Sequence, residues 1–323
     1  MITKLLGQFL ITTVFLQFMP ADASFFEYQV GEGDFQQAHL TLADSSGFTL
    51  GVTDQLESLN YPSKVNTDSY GVVTSAESVL VMDESSGMIL LAEHPRDARP
   101  IGSVTKLMSA LVFMDLDPDL TQIVALDPTL DLITGGRVYL AFYDGIELED
   151  VLAASLVGSD NTATESLFRF AGVTKDEFVA KMNEKALELG MENSTFTDPT
   201  GIDSTNISTA EDLIKLLQAA EKNELIAQYM QSSSVVVNHV SGRAITIKNT
   251  NGVLNSYLNE GEYAVTAGKT GFLPLAGYVL ATTIDHAGEK IHVVVMGSDS
   301  KDAREYDVRG LATWAYNTFS WPE

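Results

Sequence analysis

Apolar positions along this chain change period from one region to the next, and each period predicts a different element. Residues 78–94, "SVLVMDESSGMILLAEH", hold two β-rich runs around Asp83-Glu84-Ser85-Ser86-Gly87, the pattern of a hairpin. Residues 103–114, "SVTKLMSALVFM", are apolar enough for a buried helix, and Pro118 bars its extension. From Glu147 to about Tyr229 apolar residues recur at spacings of three and four in "ELEDVLAASLV", "NTATESLFRFA", "TKDEFVAKMNEKALELG" and "TAEDLIKLLQAAEK". Thr or Asp stands near their starts and Gly190 is a stop, so this block is predicted helical. Strand-like runs follow in "SSSVVVNHV", "AITIKN", "YAVTAGKTG", "AGYVLATTI" and "KIHVVVMGS", and "DAREYDVRGLATWAYNTF" closes the chain as a helix. The order predicts an α+β fold: one antiparallel β-sheet flanked by helices, with an inserted all-helical subdomain.

The two ends of the pattern bear on location. Lys4, a mostly apolar run from Leu5 to Met19 and the small-x-small site Ala21-Asp22-Ala23 predict an export signal over residues 1–23. The run falls short of the ~20 residues of a membrane span, so cleavage after Ala23 is expected over retention as an anchor, with no membrane span after the signal. The expected location is periplasmic or otherwise extracytoplasmic. Residues 24–75 are rich in Ser, Gly, Asp and Glu with no sustained period, an acidic linker or arm, and 76–323 is the expected folded domain.

Composition narrows the chemistry. The 323 residues carry a formal net charge of −25, which repels nucleic acid and anionic lipid. There is no cysteine, so disulfides, thiolate zinc sites and a cysteine nucleophile are excluded. The five histidines, at 39, 94, 239, 286 and 292, show no ligand spacing, so no metal or cofactor is expected.

Three fragments carry candidate chemistry. In "RPIGSVTKLM" Ser103 and Lys106 stand one helical turn apart on one face. A serine hydroxyl needs a partner to take its proton, and a lysine can do so only as a neutral amine, a state favoured by burial. The flanking Ile101, Leu107 and Met108 offer that burial. The same spacing recurs at Ser298 and Lys301, expected to be a solvated polar loop, so the motif alone decides little. The second fragment is "LVGSDNTATE": Ser159 and Asn161 read either as an ordinary N-cap or as a proton relay with a carbonyl-holding amide. The third, "TAGKTGFLPLAGY", ends a strand with Lys269, Thr270 and Gly271. It reads either as a turn at the glycine or as a strand edge against which a peptide pairs.

Ser-x-x-Lys, Ser-x-Asn and Lys-Thr-Gly in this order resemble the motif set of penicillin-binding proteins and serine β-lactamases. With "FVAKMNEKALELGMENSTFTDPTGID", "STAEDL", "NTNGVL" and "GKTGFLPLAGYVL", the chain from about Ser78 to Phe319 is similar to the D-alanyl-D-alanine carboxypeptidase family of low-molecular-mass penicillin-binding proteins. The resemblance implies a serine DD-peptidase acting on peptidoglycan stem peptides in cell-wall biogenesis and cell shape, acylated by β-lactam antibiotics. Ser103 is implied as nucleophile, Lys106 as general base and Ser159 as proton relay. Asn161, Lys269, Thr270, Gly271 and Phe272 are implied to bind substrate, the Ser103 and Phe272 N–H groups forming the oxyanion site. Arg304 is implied to read a substrate carboxylate, beside its other reading as a surface salt bridge.

Some positions depart from the family pattern. After Lys-Thr-Gly the family often carries Tyr or His and then Thr, where this chain has Phe272 and Leu273. The sequence stops at Glu323 without the β-domain and amphipathic tail of many family carboxypeptidases, a layout nearer to DD-endopeptidases, so that activity stands as the alternative. No Glu-x-x-Leu-Asn loop lies between the second and third motifs, which implies weak β-lactam hydrolysis. An inactive wall-binding or sensor protein of the same fold is the alternative of another class. A Ser-His-Asp hydrolase lacks its Gly-x-Ser-x-Gly motif.

Overall fold

The computed structural model describes residues 61–322, so the leader and the arm as far as residue 60 lie outside the described residues. The expected hairpin is present as β1 (Ser78–Asp83) and β2 (Ile89–Glu93). A 3-10 turn over Gly102–Val104 runs into α1 (Thr105–Asp115). The helical block follows as α2 (Leu148–Val157), α3 (Asn161–Phe170), α4 (Lys175–Glu188), α5 (Ala210–Glu221) and α6 (Glu224–Gln231). Then come β3 (Ser234–Asn238), β4 (Ala244–Lys248), β5 (Tyr263–Leu273), β6 (Gly277–His286), β7 (Glu289–Ser298) and α7 (Lys301–Thr318). Their starts follow side-chain chemistry: Thr174 and Glu177 form a reciprocal capping box on α4, and Thr209, Asn223 and Ser300 cap α5, α6 and α7.

The main sheet has the order β5-β6-β7-β1-β2, with every neighbouring pair antiparallel. Its central strands are buried on both faces, which is why they read as unbroken apolar runs rather than alternating ones. The period of two sorts them into two cores. Val79, Val81, Ile291, Val293 and Val295 pack with Val308, Leu311 and Ala315 of α7, whereas Leu80, Val294 and Met296 pack with the apolar side chains of α1 and α5. The predicted α+β architecture with a helical insert is therefore the observed one. The run "SSSVVVNHV" and its partner "AITIKN" do not join this sheet; β3 and β4 pair with each other and lie on α2 with only Val237 and Ile247 fully buried.

Two expectations differ from the structure. Residues 61–75, assigned to a loose arm, are laid against α7: Ser63 and Lys64 pair with Ser320 and Phe319, Ser69 accepts from Trp314 Nε1 at 2.6 Å, and Ser75 Oγ donates to Asp307 at 2.7 Å. These contacts are isolated anchors, joined by the single apolar packing of Val72 on α7, which leave no periodic apolar signal. Ser298 is not in a solvated loop. It ends β7 with 1% exposure and donates to Asp307 Oδ2 at 2.9 Å, because that carboxylate gathers both serines at the foot of α7.

The β1–β2 turn is also the anchor of the C-terminal segment. Asp83 accepts from Ser85 Oγ at 2.9 Å and Ser86 N at 2.8 Å through one oxygen and from Trp321 Nε1 at 2.7 Å through the other. Asp83→Ala removes the buried carboxylate that these part-buried donors share and is expected to lower the unfolding free energy by roughly 1–3 kcal/mol, measured by urea denaturation, with Asp83→Asn losing less.

Candidate active site

The nucleophile turn is held by its two glycine neighbours. Gly102 has φ +53°, and a Cβ there would stand 2.7 Å from Phe272 N, so only glycine lets the end of β5 close onto the turn. Gly271 has a related constraint: its own added Cβ would collide with the Ile101 carbonyl. The expected reason for glycine, room for a bound peptide, is thus joined by a second, the docking of β5 on the segment that carries Ser103.

One turn further on, Lys106 is wholly buried in α1, whose residues from Thr105 to Phe113 are all buried. Its Nζ lies 2.7 Å from Asn161 Oδ1, 2.6 Å from the Thr200 carbonyl and 3.0 Å from Ser103 Oγ. Two of these partners can only accept. Two N–H groups are committed to them, and the remaining tetrahedral position faces the serine: a protonated amine donates there, and a neutral amine presents its lone pair to the hydroxyl proton. Burial lowers the Lys106 pKa to about 7, against the opposing pull of Asp198 and Asp160.

The second fragment resolves its two readings by dividing the labour. Asp160, not Ser159, is the N-cap of α3, accepting from Ala163 N at 3.1 Å, and its other oxygen accepts from Tyr139 N at 2.7 Å. Ser159 stands in the left-handed region at φ +57°, a conformation serine adopts at some cost, and its hydroxyl reaches Lys269. Lys269 Nζ donates to Ser159 Oγ at 2.9 Å and lies 3.3 Å from the Thr270 carbonyl. Burial lowers the Lys269 pKa well below the ordinary value, and repulsion from Lys106 and Arg304 adds to the fall.

These groups meet at a cleft of about 330 Å³, lined by Ser103, Ser159, Thr270, Gly271, Phe272 and Arg304. Lys106, Asn161 and Lys269 are buried and bonded to one another or to the lining serines. The structure therefore brings together all nine residues singled out from the sequence. Arg304 is 3% exposed, its Nη1 3.5 Å from the Val279 carbonyl and its guanidinium 5.9 Å from the Tyr278 ring, so it is not a surface arginine. Among the described residues β5 has β6 on one side only, which leaves its outer edge available to an extended ligand.

Sequence reasoning missed several cleft residues. Tyr278 packs on Phe272 with ring centroids 4.4 Å apart and the planes tilted by 33°, and Thr250 Oγ1 lies 2.7 Å from Thr270 Oγ1. Lys301, dismissed with Ser298, lines the mouth beside Arg304. "NTNGVL" and "DPTGID" marked the segments of Thr250 and Thr200 without indicating their chemistry. Glu84, Glu221 and His292, from three separate elements, also come together, but the imidazole nitrogens already face Gln218 and Thr283, and Glu84 pairs with Lys290. The arrangement at the cleft can deprotonate a hydroxyl, stabilise an oxyanion on backbone N–H groups and hand a proton to a leaving group.

The chain is similar to proteins of known family. A family model described as D-alanyl-D-alanine carboxypeptidase matches residues 64–300. A D-alanyl-D-alanine endopeptidase of Pseudomonas aeruginosa is 32% identical over 243 residues, 73% of this chain and 76% of that protein. The D-alanyl-D-alanine carboxypeptidase DacD of Escherichia coli is 29% identical over 262 residues, 76% of this chain and 64% of that protein. The crystal structure of the Streptomyces K15 DD-transpeptidase matches with a TM-score of 0.70 at 26% identity, covering 77% of this chain and 100% of that one.

The glycine constraint is testable. Gly271→Ala is expected to push β5 off the nucleophile turn and lower the rate of Ser103 acylation by a serine-directed reagent about 100-fold, measured by mass spectrometry, since misplacement of about 1 Å has that effect.

Proposed function

The chain belongs to the D-alanyl-D-alanine carboxypeptidase family and is a serine peptidase, and from that premise we propose that Ser103 cleaves the D-alanyl-D-alanine bond of peptidoglycan stem peptides through an acyl-enzyme. The observation that carries this reading is the amine of Lys106, buried and 3.0 Å from Ser103 Oγ with its other bonds made to carbonyl oxygens. Ser103 Oγ attacks the carbonyl carbon while its proton passes to Lys106 Nζ. The oxyanion sits between the Ser103 and Phe272 N–H groups. As the C–N bond breaks, Ser159 delivers its proton to the departing nitrogen and takes back the one held by Lys106, which restores the neutral amine, with Lys269 holding the Ser159 hydroxyl. Water then cleaves the ester. Asn161 and Thr270 bind the substrate backbone and carboxylate, Gly271 keeps the β5 edge open to it, and Arg304 contributes positive charge at the leaving-group end.

β-Lactam antibiotics are proposed to acylate the same serine. A second reading, DD-endopeptidase cleavage of cross-links, is favoured by the similarity to the Pseudomonas protein. We place the enzyme outside the cytoplasm, where its substrate is, on the strength of the leader-like residues 1–23, with an acidic linker between leader and catalytic domain. No helix among the described residues is long and apolar enough to cross a membrane.

The test is incubation of the protein with purified monomeric pentapeptide and with cross-linked dimer. Release of free D-alanine from the monomer is expected under the first reading, and conversion of dimer to monomers under the second. Neither product, with no penicillin label on Ser103, would mean a binding protein that kept the fold. Lys106→Ala is expected to lose both peptidase activity and penicillin labelling by at least about 100-fold while keeping the wild-type circular dichroism spectrum; labelling at the normal rate would remove Lys106 from its role.

A further inference from the structure

The segment from Asp198 to Asn206 has no part in the three motifs, yet it wraps the nucleophile turn. Asp198 Oδ1 accepts from Thr200 N at 2.6 Å, Thr200 Oγ1 at 2.6 Å and Gly201 N at 2.9 Å, and its Oδ2 accepts from Asp203 N at 3.0 Å. Those four bonds fold a tight turn whose product is one outward carbonyl, that of Thr200, aimed at Lys106 Nζ. The turn is clamped to α1 at further points. Ser109 Oγ donates to the Pro199 carbonyl, Asn206 Nδ2 donates to Thr105 Oγ1 at 3.1 Å and to the Asp198 carbonyl at 2.8 Å, and Ile101 N donates to the Asn206 carbonyl at 3.1 Å. Gly201, at φ +79°, packs so closely on the Gly102 carbonyl that a Cβ would overlap it.

We propose that Asp198 is a positioning residue for the Ser103–Lys106 pair: the turn it folds delivers the Thr200 carbonyl that aims the lysine lone pair at the hydroxyl. This rests on Lys106 being the base of the proposed function.

The amine needs such a partner because it has no exposed surface. With the Thr200 carbonyl withdrawn, an N–H would be orphaned in a buried pocket, and the amine would rotate to use Ser103 Oγ as an acceptor, spoiling the direction of proton transfer. The charged groups around Lys106 are few. Asp198 approaches from the turn, Asp160 from the start of α3, and Lys269 from β5 with Arg304 behind it; Asn161 and Ser103 are neutral. Burial is the largest influence and drives the proton off, while Asp198 and Asp160 oppose it. Asp198 therefore keeps the base strong enough to accept the serine proton and weak enough to be free at neutral pH.

The sign of the effect follows. Acylation needs neutral Lys106, so the rate of wild-type penicillin labelling climbs with pH and levels off above the amine pKa of about 7. In Asp198→Asn the amide oxygen keeps the three Oδ1 bonds but the charge is gone, so the amine loses its proton more easily. Its rising limb is expected to move about one unit to lower pH with a plateau close to wild type. Asp198→Ala removes the turn's acceptor as well, and its plateau is expected to fall about 100-fold while urea denaturation still shows a cooperative transition. A merely structural role would change stability in both variants and leave the pH limb in place. An unshifted limb in the Asn variant, with wild-type labelling intact, overturns the inference alone. A wild-type protein that is not labelled at any pH overturns the reading on which it rests, and the inference with it.

Discussion

A lysine amine with no exposed surface must have each of its polar directions matched inside the protein, and that requirement organises the centre of this molecule. Lys106 meets it with the Asn161 amide oxygen, the Thr200 carbonyl and the Ser103 hydroxyl. Each partner comes from a different part of the chain, so the proton acceptor exists only when α1, the start of α3 and the Asp198 turn have all docked. The energetic tension is between burial, which penalises the ammonium form, and two carboxylates, which restore some of its stability. Burial outweighs them and leaves an amine that can exchange a proton near neutral pH.

The sheet supplies the other half of the arrangement. β5 is an edge strand, and the same strand carries Lys269 on the buried side and Phe272 half-exposed at the cleft. Two glycines, Gly102 and Gly271, set the distance between that edge and the nucleophile turn, because a methyl group on either would occupy backbone atoms of the other segment. Ser103 and Phe272 are thus set against each other by close backbone packing, which suits a site that must be preorganised before substrate arrives.

Much of this was legible in the sequence. Helix α1 announced itself by its apolar run, α2 to α5 by apolar residues at spacings of three and four, and the β1–β2 hairpin and the three long strands by β-rich runs with turn residues between them. The chemistry of Ser103 and Lys106 could be argued from helical spacing, but it took the fold to make Lys106 a base, since burial by residues 50 to 100 positions away has no local signature. Asp198 illustrates the limit: "DPTGID" looks like any polar turn until its carbonyl is seen to face an amine on another element. Ser298 illustrates the opposite error, read as solvated although it is buried at the end of β7, while its partner Lys301 is exposed at the cleft mouth. Residues 61–75 read as a tether because they hold α7 by a few hydrogen bonds and the single apolar contact of Val72, without a periodic apolar pattern.

The account turns on the protonation state of one nitrogen, which can be observed without substrate. Titration of the Lys106 ε-position by NMR in protein carrying isotopically labelled lysine, assigned by comparison with Lys106→Arg, gives that state directly. A midpoint near 7 is the result expected from its enclosure. A midpoint near the ordinary lysine value of about 10.4 would leave the amine charged at neutral pH and contradict its service as the base.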